Sequence, residues 1–402
     1  MRTFLSLSLF LSVFIFFSGH LSAQSTITSS VVKYGSGNPT LGISSFNGDA
    51  NAERILRSVL IRCDWFSVLK DASGAQLQLN VRYDATPAPA YTGQLAYGGQ
   101  TKTITAYGSD VDINQAACIF VDEILKALWN IPALCSRPIV YVRSGANGKR
   151  ELFSCRIDGS GEKRITHNNY ISTEPSWGHA GALVYTLNNS VTLNIVLMDI
   201  ANQRQRIVSS ARCLNASPSL SRNGRTLLLP LSFGKQVDLY EIDLATGKRT
   251  RITNDRDVES SPCFSPDNSE ICFVSDRSGR PQLYRMLRNG GKAKRLQLGG
   301  GECVSPDWSP VSNKLCYTTR NSSGQYVVAV LDMADADAAP TVITEAAGNW
   351  EAPSWAPDGR HIVCTRKTGR NQELYIVDSW LRTFQQLSKG SGFALPAWCP
   401  AR

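Results

Sequence analysis

The sequence predicts a mainly β protein: a six-bladed β-propeller of about 44-residue repeats, preceded by a small α/β domain. Three observations carry that prediction. A proline-aromatic phrase recurs with anchoring prolines at 175, 218, 262, 306, 353 and 396, spaced by 43, 44, 44, 47 and 43 residues, which is the period of a four-stranded blade. Within each period the apolar runs are only four to six residues long and are cut by turn residues, leaving no room for a helix. Residues 24 to about 136 show no such repeat.

From the start of the chain, Arg2 gives a short positive region, Phe4 to Phe17 is almost wholly apolar, and Leu21-Ser22-Ala23 offers small residues before Gln24. This order predicts a secretory signal peptide over 1–23. No later stretch reaches the about 20 apolar residues of a membrane helix, so an exported, soluble mature chain is expected. Residues 24–40 are polar and rich in Ser and Gly, which predicts a mobile N-terminal segment.

The small α/β domain is assigned to 41–136. Thr40 to Phe46 and Ala75 to Val81 read as strands, the latter by strict alternation. Asn51 to Leu60 puts Ile55, Leu56, Val59 and Leu60 on one helical face, and Ile113 to Trp129 does the same with Ala116, Phe120, Ile124 and Leu128. Asp110, Asp112 and Asn114 resemble a calcium loop, but Gln115 and Val121 stand where Gly and Glu are needed. A turn and helix start is the better reading.

The propeller is assigned to 138–402. Each unit opens with Pro-x-(Trp/Phe/Leu), turns at Pro-Asp-Asn or Pro-Asp-Gly in the clearest copies, and continues through β-branched strands such as Ile271 to Val274 and Ile362 to Thr365. Pro138 to Thr166 supplies three strands without an opening one, and Pro396 to Pro400 is an opening strand with nothing after it. Together they make one blade, so the C-terminal strand is expected to close the ring. Trp177, Phe264, Trp308, Trp355 and Trp398 recur once per blade, which predicts packing between blades. Asp267 and Asp358 are read as turn residues.

Net charge is +9 and the basic residues are scattered, which excludes the clustered stripe of a nucleic-acid binder. The 11 cysteines show no metal-binding spacing; Cys263 and Cys272 flank a turn and are the pair placed to face each other. Four histidines and the absence of nucleophile-elbow, zincin, P-loop or dinucleotide motifs argue against an enzyme, and no cofactor or metal is expected. The loops just before each anchoring proline (168–174, 213–217, 255–261, 348–352, 390–395) vary and emerge on one face around the channel, where function on a repeat scaffold resides.

The run SPDNSEICFVSDRSGRPQLY at 265–284 and the ending Pro396-Ala397-Trp398-Cys399-Pro400 resemble the repeat of the TolB family. The resemblance extends over the mature chain: small α/β domain, six repeats and latching tail. It implies a monomeric, non-catalytic periplasmic adaptor of the Tol-Pal system, which serves cell-envelope integrity and cell division. It also implies that the propeller face binds a peptidoglycan-associated lipoprotein (Pal-like), through Leu214, Asn215, Ser217, Glu259 and Ser260. A His commonly stands in the family at the place of Leu214, and a Thr at that of Ser260. The N-terminal segment, with Thr26, Ile27, Val31 and Val32, is implied to engage a TolA-like inner-membrane protein. The competing expectation is a propeller that binds a small ligand or glycan, or the remnant of a peptidase-associated propeller.

Overall fold

The structure, a computed structural model, describes residues 37–107, 111–145, 148–178, 181–234, 236–299, 301–335 and 337–401. The expected signal peptide (1–23) lies outside them, as do most of the expected mobile segment (24–40), with Thr26, Ile27, Val31 and Val32, and Asp110 and His179.

The N-terminal lobe consists of β1 (Thr40–Asn47), α1 (Ala50–Arg62), β2 (Ser67–Val68), β3 (Leu77–Asp84), β4 (Ala90–Tyr97), β5 (Gln100–Tyr107) and α2 (Ile113–Trp129). Its sheet runs β2-β1-β3-β4-β5, with β1 parallel to both neighbours and the rest antiparallel. Asp49 caps α1 by accepting the Ala52 N–H at 2.8 Å, and the helix buries Ala52, Ile55, Leu56, Val59 and Leu60. Asp112 caps α2 in the same way, accepting the Gln115 N–H at 2.8 Å, so the described part of the calcium-like triplet, Asp112 and Asn114, is a helix start. The β4–β5 hairpin turns on Gly98 and Gly99, both with positive φ (55° and 75°), the geometry a two-residue hairpin needs.

Inside α2, Asp122 is 5% exposed. Its carboxylate accepts the backbone N–H groups of Leu134 (2.9 Å), Cys135 (2.7 Å) and Ser136 (3.0 Å). This carboxylate fixes the stretch that leads from the lobe into the propeller.

Six four-stranded blades follow. From the innermost strand outward, blade 1 is Phe393–Trp398, Ile139–Ser144, Arg150–Cys155 and Lys163–Arg164; blade 2 is Ile171–Trp177, Ala182–Asn188, Leu193–Asp199 and Arg204–Ala211. Blade 3 is Ser219–Leu220, Thr226–Phe233, Gln236–Asp243 and Arg249–Arg251; blade 4 is Glu259–Phe264, Glu270–Ser275, Gln282–Leu287 and Lys294–Arg295. Blade 5 is Cys303–Trp308, Lys314–Arg320, Tyr326–Asp332 and Thr341–Val342; blade 6 is Asn349–Trp355, His361–Thr368, Asn371–Asp378 and Phe384–Gln386. Blade 1 is thus built from both ends of the repeat region: Phe393 lies opposite Arg143 and Trp398 opposite Ile139.

Apolar clusters fill the seams between blades. Val140, Leu152, Leu183 and Tyr185 pack between blades 1 and 2, and Val328, Trp350, Trp355 and Ile362 between blades 5 and 6. The repeated tryptophans do more than fill space. Trp177 Nε1–H donates to the Ala397 carbonyl (3.0 Å) and Trp355 Nε1–H to the Asp307 carbonyl (3.1 Å), each on the preceding blade. All 11 cysteines are free thiols, Cys263 and Cys272 included, although those two are register partners across their hairpin.

The lobe leans on blade 6. Arg62 donates to the Gln386 carbonyl (2.8 Å), and Trp65 Nε1–H to Asp358 Oδ2 (3.0 Å). No helix among the described residues is long and apolar enough to cross a membrane.

Candidate functional site

The innermost strands surround an axial cavity of about 280 Å³. Its wall is shaped by a backbone feature that repeats in every blade. The residue before each anchoring proline is left-handed: Glu174 (φ 54°), Ser217 (45°), Ser261 (46°), Ser305 (52°), Ala352 (51°) and Leu395 (48°). At these points the pairing of the innermost strand slips by one residue in blades 1, 2, 4, 5 and 6, a β-bulge that leaves the residue unpaired. A non-glycine residue there costs about 1–2 kcal/mol, so neighbours must hold it.

They do so through hydrogen bonds. Ser217 donates both its N–H (2.7 Å) and its Oγ–H (2.8 Å) to Glu174, whose carboxylate also accepts from Thr186 (2.8 Å). The Ala352 N–H reaches Thr318 Oγ1 (3.2 Å) and the Leu395 N–H reaches Thr365 Oγ1 (3.1 Å), each on the blade before. Asp307 also lines the cavity. Burial pushes its carboxyl up to about 6, against the opposing pull of the Trp355 N–H and the Arg222 guanidinium.

At the mouth where the innermost strands begin, the structure separates the loop residues singled out by resemblance. Leu214 and Ser217 are half-buried, as is Ser260. Asn215 is wholly buried, its amide donating to the Leu193 carbonyl (2.7 Å) and accepting from Ser209 (3.0 Å). Glu259 is buried too: it accepts from Arg277 (2.8 Å) and Ser275 (3.2 Å). Burial pushes its carboxyl up to about 7, outweighing Arg277, which pulls it down. Asn215 and Glu259 therefore hold loops in place from beneath, and Leu214, Ser217 and Ser260 form the rim.

Sequence reasoning passed over the arginines of this mouth. Arg143, Arg277, Arg320 and Arg366 stand at or near the ends of the second strands of blades 1, 4, 5 and 6. Each lies over an aromatic ring: Phe393 (5.2 Å), Tyr284 (4.9 Å), Tyr326 (4.4 Å) and Trp350 (5.0 Å) respectively. Arg143 and Arg320 are also paired with Glu162 and Glu302, yet keep 41% and 45% of their side chains exposed. The signal was present as an Arg at the close of a β-branched or aromatic strand, but basic residues there are ordinary on any surface.

Comparison with known proteins agrees with this architecture. A family described as the TolB beta propeller domain matches residues 127–402. The Tol-Pal system protein TolB of Desulfosudis oleivorans is 31% identical over 134 residues, 33% of this chain and 30% of that protein, so the match spans under a third of the relative's length. The crystal structure of TolB from Acinetobacter baumannii superposes with a TM-score of 0.81 at 25% identity, covering 90% of this chain and 97% of that one. A chain of the nidogen/laminin complex is similar in fold alone, with a TM-score of 0.53 at 12% identity, covering 65% of this chain and 98% of that one.

Proposed function

We infer, because this chain belongs to the TolB β-propeller family, that it is a periplasmic, non-catalytic component of the Tol-Pal system. Its propeller mouth receives a peptidoglycan-associated lipoprotein, and its N-terminal segment, with Thr26, Ile27, Val31 and Val32, engages a TolA-like inner-membrane protein. The observation that carries the reading is the mouth itself. Buried Asn215 and Glu259 set the loops rigidly from below, while Leu214, Ser217 and Ser260 are left on the rim beside partly exposed arginines. A preformed rim of this kind suits a protein partner, since little ordering free energy is lost on docking. The arginines favour a partner whose contacting face carries carboxylates.

The test is a pull-down from solubilised envelope with the mature protein as bait, beside Leu214→Arg and Ser260→Trp variants. Recovery of a peptidoglycan-binding lipoprotein by the parent protein and its loss with both variants supports the reading. Retention of glycans instead, with no lipoprotein on any bait, favours a ligand-binding propeller and overturns it. Deleting residues 25–40 tests the second partner: the expected outcome is loss of the inner-membrane protein from the recovered set.

A further inference from the structure

The seam between the lobe and blade 6 holds a polar cluster that partner binding leaves unused. Asp64 follows α1 in a left-handed conformation (φ 57°), His361 opens the second strand of blade 6, and Asp378 closes the third. One ligand atom from each lies within 4.8 Å of the others. His361 is 1% exposed. Its Nδ1 is engaged with Asp358 Oδ2 at 2.6 Å, while Nε2 faces Asp378 Oδ2 at 4.0 Å and has no hydrogen-bond partner. Buried polar atoms are almost always satisfied, so a buried, unpartnered Nε2 aimed at two carboxylates is the signature of a ligand site.

Charge gives the sign of that partner. Asp64, Asp358 and Asp378 supply three carboxylates. Against them stands the Arg360 guanidinium, ion-paired to Asp378 and held over Trp65 (4.5 Å) and Trp380 (4.9 Å). With His361 neutral, as a metal ligand must be, one cation stands against three anions, and a proton on His361, which the neighbouring carboxylates favour, only partly offsets the excess of negative charge in this largely buried site.

We propose that Asp64, His361 and Asp378 bind one divalent first-row transition ion of the zinc type, which clamps the lobe to blade 6. An imidazole with two carboxylates is a donor set such ions accept. The Asp358–His361 pair is the usual outer arrangement, in which a carboxylate takes one ring N–H and turns the other nitrogen's lone pair to the metal. The ligands come from opposite ends of the chain, so no motif spacing announces them. The site is independent of the partner-binding reading.

The experiment is a Zn²⁺ titration of the chelator-stripped full mature chain against a chromophoric chelator. It uses a Cys213→Ser background so that the exposed thiol cannot compete. About one equivalent should bind, and Asp64→Asn and His361→Gln should each weaken binding at least about 10-fold, the scale on which even outer-shell losses are felt. Asp64 is only half-buried, so its variant stays informative if His361→Gln does not fold. Co²⁺ in the same site should give visible d–d bands without a thiolate charge-transfer band, and Zn²⁺ should slow hydrogen exchange across residues 62–69. Absence of stoichiometric binding overturns the proposal. Binding that both variants leave intact, or a thiolate band, places the ion elsewhere and overturns it equally.

Discussion

Replacing Asp122 with Ala should destabilise the join between lobe and propeller by about 3 kcal/mol. The magnitude follows from what the carboxylate does. It accepts three backbone N–H groups, of which those of Leu134 and Cys135 belong to wholly buried residues, while Ser136 is half-buried. A buried donor left unsatisfied costs about 1–3 kcal/mol, and one that water can reach costs little. Two such donors give roughly 2–6 kcal/mol, brought down to about 3 kcal/mol because a buried carboxylate is itself costly to desolvate, as its raised pKa shows. Asp122→Asn keeps one oxygen, and that oxygen can still serve Leu134 and Cys135; its cost should be nearer 1 kcal/mol. Urea titration followed by tryptophan fluorescence is a suitable assay, since Trp65 and Trp129 meet in the lobe with ring centroids 5.4 Å apart. A thermal midpoint lowered by about 4 °C for Ala is the equivalent in a melt of a chain this long. An Ala variant within 0.5 kcal/mol of the parent (about the scatter of a surface substitution), or an Asn variant as damaging as Ala, would refute the reasoning.

Three further outcomes are expected. Glu259 has a folded pKa of about 7, above its usual 4.5, so the folded state takes up its proton more readily. The stability this confers is complete below pH about 4.5 and lost as pH rises through about 7, up to an order of 3 kcal/mol. Relative to Glu259→Gln, the parent protein should therefore lose stability between pH 5 and 8; a flat difference in urea midpoints would contradict the burial argument. At Ala352, whose φ is 51°, Val should destabilise by about 1–3 kcal/mol while Gly is tolerated, as read from thermal melts; equal melting of the two would show that the conformation relaxes. Cys213 is the one exposed thiol of the 11, so a maleimide should label that residue in the native protein and the other ten only in denaturant. Mass mapping of the labelled peptides reports which occurs.

The propeller was legible because its constraints are local and repeated. A Pro-Asp-Gly turn or a Trp two residues after a proline means the same thing each time, and six copies average out accidents. The helices were legible through their apolar faces, but the β4–β5 hairpin was not assigned, although Gly98-Gly99 between strand-like runs is a recognised hairpin signal. The short and irregular alternation of Thr101 to Tyr107, mostly exposed, hides the strand from any burial pattern. The left-handed residues ran against expectation, since the position before a proline favours extended backbone. Nothing in a Ser or an Ala there announces otherwise; the conformation is imposed by the bulge and by Thr318, Thr365 and Glu174 from neighbouring blades. Asn215 and Glu259 were singled out on loops before their prolines, but whether a loop side chain turns inward depends on partners such as Arg277 and Ser209 that only the assembled blades supply. The Asp64–His361–Asp378 cluster was invisible for the same reason, its members meeting only when the lobe sits on blade 6.

The six pre-proline positions share one backbone conformation while carrying Glu, Ser, Ser, Ser, Ala and Leu. The same backbone platform around the axis thus carries a carboxylate, a hydroxyl or an aliphatic group. At Glu174 the side chain is also a restraint on Ser217, so that position is tied to its neighbour. The others behave as sockets that accept different side chains without a β-branch. The chemistry of the bore can diverge, or be rewritten by design, position by position.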